Sequence, residues 1–143
     1  MQKAIYSLFF ILPLLGCAST QVSHLNNIDK RDLTHICIEH NPQVIVVNFE
    51  NILINGLEAR HISTQIYDRT KPLECVYVLK YVAYQKWDFS MVLTRAELRL
   101  YKDDQLLGFA EYKLHAGGLL NPTKYKSNES KINPLINQLL EKH

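Results

Sequence analysis

The sequence predicts an α+β fold: strand, helix, four strands, helix, with a mainly antiparallel sheet and the helices on one face. Three observations carry this. Residues 75–115 hold three successive runs rich in β-branched and aromatic residues, alternating between two faces and separated by short polar breaks. Residues 132–140 carry a stripe at i, i+3, i+4, i+7, i+8 (Ile132, Leu135, Ile136, Leu139, Leu140). Between two extended segments, Val44, Val47, Ile52, Leu53 and Leu57 fall near helical spacing. Adjacent antiparallel strands with helices gathered on one side form an α+β layer pair.

Each element has its own local reason. Residues 33–40 place Leu33, Ile36 and Ile38 on an extended segment, with Cys37 between the isoleucines, and Asn41-Pro42 stops it. Asn41 is the expected N-cap and Pro42 a first-turn proline, so the first helix is expected from there to about Ala59. Its Val44-Ile45-Val46-Val47 start is β-rich, and Gly56 weakens its interior. Residues 62–67 alternate as a strand, and residues 68–72 form a turn region. In the next strand Cys75, Tyr77, Leu79, Tyr81 and Ala83 share one face; Val76, Val78, Lys80, Val82 and Tyr84 share the other. Apolar residues on both faces predict a central strand.

After a break at Trp87-Asp88, Val92, Thr94, Ala96, Leu98 and Leu100 form one face of a strand; Leu93, Arg95, Glu97, Arg99 and Tyr101 form the other. Asp103-Asp104-Gln105 is a tight hairpin connection, and residues 106–115 return. Arg95, Glu97, Arg99, Glu111 and Lys113 then make a solvated sheet face with opposite charges across strands. Gly117-Gly118 ends the sheet; Pro134 sits near the start of the last helix, with Ser130 or Asn133 as cap. The expected core is Leu53, Leu57, Leu79, Tyr81, Leu98, Tyr112, Ile136 and Leu139.

The first residues carry an address. A basic start (Lys3) leads into an apolar run from Ala4 to Leu15, closing on Leu14-Leu15-Gly16-Cys17. A dozen apolar residues are too few to cross ~30 Å of hydrocarbon as a helix. They suit the apolar core of an export signal. A small residue directly before a cysteine, with Leu14 three positions before it, resembles a bacterial lipoprotein signal. The resemblance implies cleavage after Gly16 and acylation of Cys17 with chains such as palmitate. Ala18, rather than Asp, after the cysteine resembles the pattern delivered to the outer membrane, with the domain facing the periplasm. Residues 1–16 are thus the expected signal peptide, residues 17–32 a lipidated polar tether and residues 33–143 a single domain. The alternative for the tether, a short edge strand around Val22 to Ile28, stays open.

Composition limits the function. Lys+Arg 16 against Asp+Glu 14 gives no basic field for nucleic acid and no acidic one for cations. A hydrophobic share of 47% argues for a folded domain rather than a disordered tether. With Cys17 assigned to lipid, Cys37 and Cys75 remain. In an oxidising compartment an even pair reads first as a disulfide, closing a loop of about 38 residues worth ~3–4 kcal/mol on chain-entropy grounds. The alternatives are two buried thiols, or a metal site pairing Cys37 with His40 at C-x-x-H spacing, for which no second such pair exists.

The run Cys37-Ile38-Glu39-His40-Asn41-Pro42 resembles the opening signature of an uncharacterised family of short proteobacterial lipoproteins. So do Trp87-Asp88-Phe89, Ala96-Glu97-Leu98-Arg99-Leu100, Gly108-Phe109-Ala110-Glu111-Tyr112 and Asn133-Pro134-Leu135-Ile136. Tyr125 stands where the pattern has Trp. This resemblance implies a domain and an address, and no activity.

No catalytic motif is present. Gly117-Gly118 lacks the following Lys-Ser/Thr of a phosphate loop, and no serine sits in a nucleophile elbow. Cys37 with Glu39 and His40 reads as structural before it reads as a nucleophile. The sequence therefore predicts no enzyme and no cofactor. It predicts an interaction or structural module, held to the membrane by its lipid and docking on an envelope protein or cell-wall polymer. The alternative is a periplasmic small-ligand or metal-binding protein, with Tyr77, Tyr81, Tyr84 and Trp87 lining the ligand site.

Overall fold

A computed structural model describes residues 19–23, 32–115 and 123–141. Among the described residues eight elements occur in chain order: β1 (Ser19–Ser23), β2 (His35–Glu39), α1 (Phe49–Glu58), β3 (Ser63–Tyr67), β4 (Tyr77–Asp88), β5 (Ser90–Lys102), β6 (Gln105–Lys113) and α2 (Asn128–Leu140). The strands form one sheet in the order β1-β6-β5-β4-β2-β3. The α+β class, the antiparallel majority and the element order expected from residues 33–143 are all present.

Two features of the topology go beyond the expectation. β2 is parallel to both its neighbours, β3 and β4. Parallel neighbours need a long crossover, and α1 supplies it between β2 and β3. The second feature is β1, which pairs antiparallel with β6 from Ser19↔Lys113 to Ser23↔Phe109. Part of the segment expected as a tether is thus an edge strand, beginning three residues earlier than the alternative reading placed it. Its Ser-Thr-Gln-Val-Ser sequence has no apolar alternation; the strand is placed by its pairing with β6 and also meets α2.

The helices pack against one another and on one face of the sheet. There Leu53 and Leu57 of α1, and Ile132, Leu135, Ile136 and Leu139 of α2, join Ile36, Ile38, Leu79, Tyr81, Leu98 and Tyr112 in one buried cluster. Every residue of the expected core is in it. Gly56 sets how closely the helices approach: a Cβ there would overlap Ile136 Cδ1 and lie 3.0 Å from Asn133 Oδ1. The helix-weakening glycine is a contact residue.

α1 begins at Phe49, not at Pro42. Asn41 is occupied elsewhere. Its backbone N–H donates to the Tyr81 hydroxyl (3.1 Å), its side-chain amide donates to the Tyr81 carbonyl (2.9 Å), and its side-chain oxygen accepts from the Gln43 N–H (3.1 Å). This is an Asx turn pinned to the central strand. The β-branched residues 44–47, stiff at χ1, remain outside the helix. Asn48, in the left-handed region at φ 58°, turns the chain into it. At α2 the cap is Ser127, whose hydroxyl accepts from the Ser130 N–H, rather than Ser130 or Asn133.

Two faces also change. Tyr84 pairs with Arg95 and Gln85 with Leu93, so Thr94 is the extra residue of a bulge. The phase reverses there, and Leu93 joins the main core in place of Thr94. Cys75 lies just ahead of β4, in a turn closed by its N–H to the Pro72 carbonyl. It packs with Cys37, Tyr67 and Val78 on the helix-free face, not in line with Tyr77. Cys37 and Cys75 form a disulfide with a Cα–Cα separation of 5.5 Å.

Candidate functional site

On the helix-free side, an open cavity of about 530 Å³ is bordered by Glu39, His40, Lys80, Glu97, Arg99 and Tyr101, among others. Strand alternation explains Glu39, Lys80, Glu97, Arg99 and Tyr101, each one position from a core residue of β2, β4 or β5, while His40 follows the end of β2. The charges are matched to one another. Glu97, only 6% exposed, accepts from both Arg95 and Arg99, the latter at 2.8 Å. Arg95 also reaches Glu111 at 2.8 Å. Glu39 takes the Tyr67 hydroxyl at 2.7 Å and Lys80 at 3.2 Å. Lys80 lies over the Tyr101 ring and Arg99 over Phe109. The solvated face with opposite charges across strands is therefore an ordered ion ladder.

At the rim, His40 Nδ1 lies 2.7 Å from Glu50 Oε1, which also accepts the Tyr81 hydroxyl. Burial, then the hydrogen bond to Glu50, raises the Tyr81 pKa. Tyr67 is raised in the same way by burial and Glu39. Both phenols stay protonated donors. Glu50 is the residue that sequence reasoning missed; a glutamate in the first turn of a helix carries no signal of a histidine ten positions earlier.

Of the expected site residues, Cys37 and Cys75 come together. Cys37 does not join His40: its sulfur is in the disulfide, and its nearest imidazole is His35 at 3.5 Å. Neither the metal pairing nor the nucleophile is available to a sulfur held in that bond. Tyr77, Tyr81, Tyr84 and Trp87 do not share a pocket. Tyr81, largely buried, and exposed Tyr84 both border the cavity, whereas Tyr77 is buried on the helix side and Trp87 projects at the sheet's end. Four tyrosine and tryptophan positions along one long strand are divided by the pleat and by the bulge beside Tyr84. Cys17 lies outside the described residues.

A second feature sits at the β4–β5 turn. Trp87 is 72% exposed, Phe89 77% and Met91 52%; Ile45 and Val47, in the loop ahead of α1, are each 74% exposed. Gln85 Nε2 donates to the Ile45 carbonyl at 3.5 Å, which holds that loop beside the turn. Asp88 pairs with Lys124, and Lys131 of α2 donates to the Lys124 carbonyl at 2.8 Å. The turn is thereby braced against the start of α2.

No family model matches the chain, and no curated protein does. Among solved structures the chain is similar to the PelC dodecamer from Paraburkholderia phytofirmans, at 13% identity and a TM-score of 0.56, over 85% of this chain and 96% of that one. A PelC dodecamer with one leucine-to-methionine substitution, from the same organism, matches at 13% identity and a TM-score of 0.55, over 87% and 95%. At this identity the likeness is one of fold.

Proposed function

We propose that this chain is a lipid-anchored envelope domain acting as a non-catalytic interaction module, held to the outer membrane by acyl chains on Cys17 and facing the periplasm. The observation that carries the reading is the Cys37–Cys75 disulfide. Such bonds persist in oxidising compartments, so the folded domain and the Leu14-Leu15-Gly16-Cys17 signal support the same address by separate routes. The uncharacterised lipoprotein family resembled by the sequence fits this address. The ion ladder points to the same class of function: its carboxylates are neutralised by neighbours, which suits recognition better than proton transfer.

The partner class with most support is further copies of this chain, because the solved chains of similar fold are dodecamers. Docking on an envelope protein or a cell-wall polymer is the broader form of the proposal. Mass photometry of the detergent-solubilised, lipidated protein tests the first; a monomer at all concentrations removes self-assembly. Cys17→Ser tests the anchor: the variant is expected in the soluble fraction, and retention in membranes through detergent-sensitive anchoring removes the lipid reading.

The cavity bordered by Glu39, Lys80, Arg99 and Tyr101 favours a second reading, a small-ligand binder for a polar molecule carrying hydrogen-bonding groups. Titration of Arg99→Ala against the wild type with candidate envelope solutes separates the two.

A further inference from the structure

We infer that the β4–β5 end of the domain is a lipid-contacting surface, seated in the interface of the same bilayer that anchors Cys17. This rests on the proposed acylation and adds an orientation to it. The sheet register carries it. Ser19 pairs with Lys113, Lys113 with Arg95, and Arg95 with Tyr84. Ser23 is level, through Phe109 and Arg99, with Lys80. β1 therefore starts at the end of the sheet toward which β4 runs. Cys17 precedes Ser19 by two residues, a reach of at most ~7 Å. Three inter-strand spacings separate β1 from β4, or about 15 Å. The acyl chains and the β4–β5 turn thus leave the domain at the same end, with no long tether between lipid and sheet.

That end carries what a bilayer interface selects. Trp87, Phe89, Met91, Ile45, Val47 and Tyr125 are all exposed there. Trp and Tyr concentrate at the headgroup level, where an amphipathic ring meets both phases. Lys86, Lys113 and Lys126, also exposed at this end, suit anionic headgroups. Phe89 adds an independent mark. It occupies the left-handed region at φ 56°, a conformation unfavourable for a bulky residue, and gains no burial from it. A bulky aromatic kept exposed at a turn position that small residues fill more easily suits contact outside the fold.

The opposite end differs. Its hairpin turn is Asp103-Asp104. The exposed apolar residues there, such as Leu73 and Leu106, stand among Arg69, Lys71, Glu74 and the two aspartates. Because the lipid on Cys17 keeps the tip at high local concentration against the bilayer, a weak contact suffices.

Trp87 is the chain's one tryptophan, so its fluorescence reports this site alone. The lipidated full-length protein is reconstituted into phosphatidylethanolamine–phosphatidylglycerol vesicles, and acylation is verified separately by mass spectrometry of the N-terminal peptide. The expected result is a blue-shifted Trp87 emission, quenched by phospholipids brominated near the headgroup and shielded from aqueous iodide. Phe89→Ser with Met91→Ser, both at exposed positions, is expected to return the emission toward that of the Cys17→Ser protein in buffer. An acylated protein whose Trp87 stays red-emitting and open to iodide overturns the orientation while leaving the anchor standing. An unacylated protein overturns both. A blue shift that appears in lipid-free buffer and grows with protein concentration assigns the surface to a second copy, and overturns the lipid contact.

Discussion

Tyr81 joins three parts of the molecule. Its ring packs against Phe49, its hydroxyl accepts from the Asn41 N–H and donates to Glu50, and its carbonyl takes the Asn41 side chain. Burial raises the pKa of Tyr81, Tyr67 and Tyr112. The folded state then holds protons that the unfolded chain, with tyrosines near pH 10, releases. The stabilisation they contribute is fully present below about pH 10 and is lost as pH rises beyond it. Alkaline titration followed by tyrosinate absorbance tests this. Tyr67, Tyr81 and Tyr112 are expected to ionise with the loss of near-UV circular dichroism. Ionisation of all in one step before unfolding contradicts this. At this scale the disulfide was legible, because the two cysteines beyond the expected lipidation site read first as a pair. The His40–Glu50–Tyr81 contact was not, because it joins a loop, a helix and a strand that no local pattern relates.

The two helices differ in how far their sequences declare them. α2 has a full apolar stripe, and its interior Pro134 did not obscure it because the stripe continues on both sides. α1 has the same kind of stripe from Phe49, but Asn41-Pro42 offered a cap that a tertiary partner had taken. β1 was obscured for another reason: its identity comes from β6, and a polar five-residue strand carries no periodic signal of its own. The phase change at Thr94 belongs to the same class, since a bulge is set by the pairing of two strands. Helix–helix contact gives the test at this scale. Gly56→Val adds branched carbon against the terminal methyl of Ile136, which is fully buried and must shift within the core. The expected loss is about 1–3 kcal/mol from overpacking, read as a lower midpoint in urea. An unchanged midpoint means that α1 and α2 stand further apart than described.

Across the whole molecule, the covalent and non-covalent cores lie on opposite faces of one sheet. The main cluster is under the helices; the Cys37–Cys75 bond, with Tyr67 and Val78, is on the other side. The bond encloses β2, α1 and β3, the portion of the fold whose strand pairings are parallel. Thiol labelling of the denatured, unreduced mature protein is expected to give no label at Cys37 or Cys75. Reduction is expected to lower stability by about 3–4 kcal/mol, in line with a closed loop of this length. Two labels per chain refute the bond in solution. The fold class was legible at this scale because adjacent antiparallel runs and two amphipathic helices leave few arrangements. The parallel register of β2 was not, because it depends on where α1 crosses rather than on β2's own residues.

β1 is also a guard. It covers the backbone hydrogen-bonding edge of β6 along Phe109 to Lys113, with its own outer edge left at the margin of the sheet. A version of the domain trimmed of residues 17–31 retains both helices and every residue of the main buried cluster, yet it opens the longer β6 as an unsatisfied template. Open edges of this kind recruit strands from other molecules and begin aggregation. The five residues of β1 thus keep the edge of β6 from zippering with neighbouring molecules.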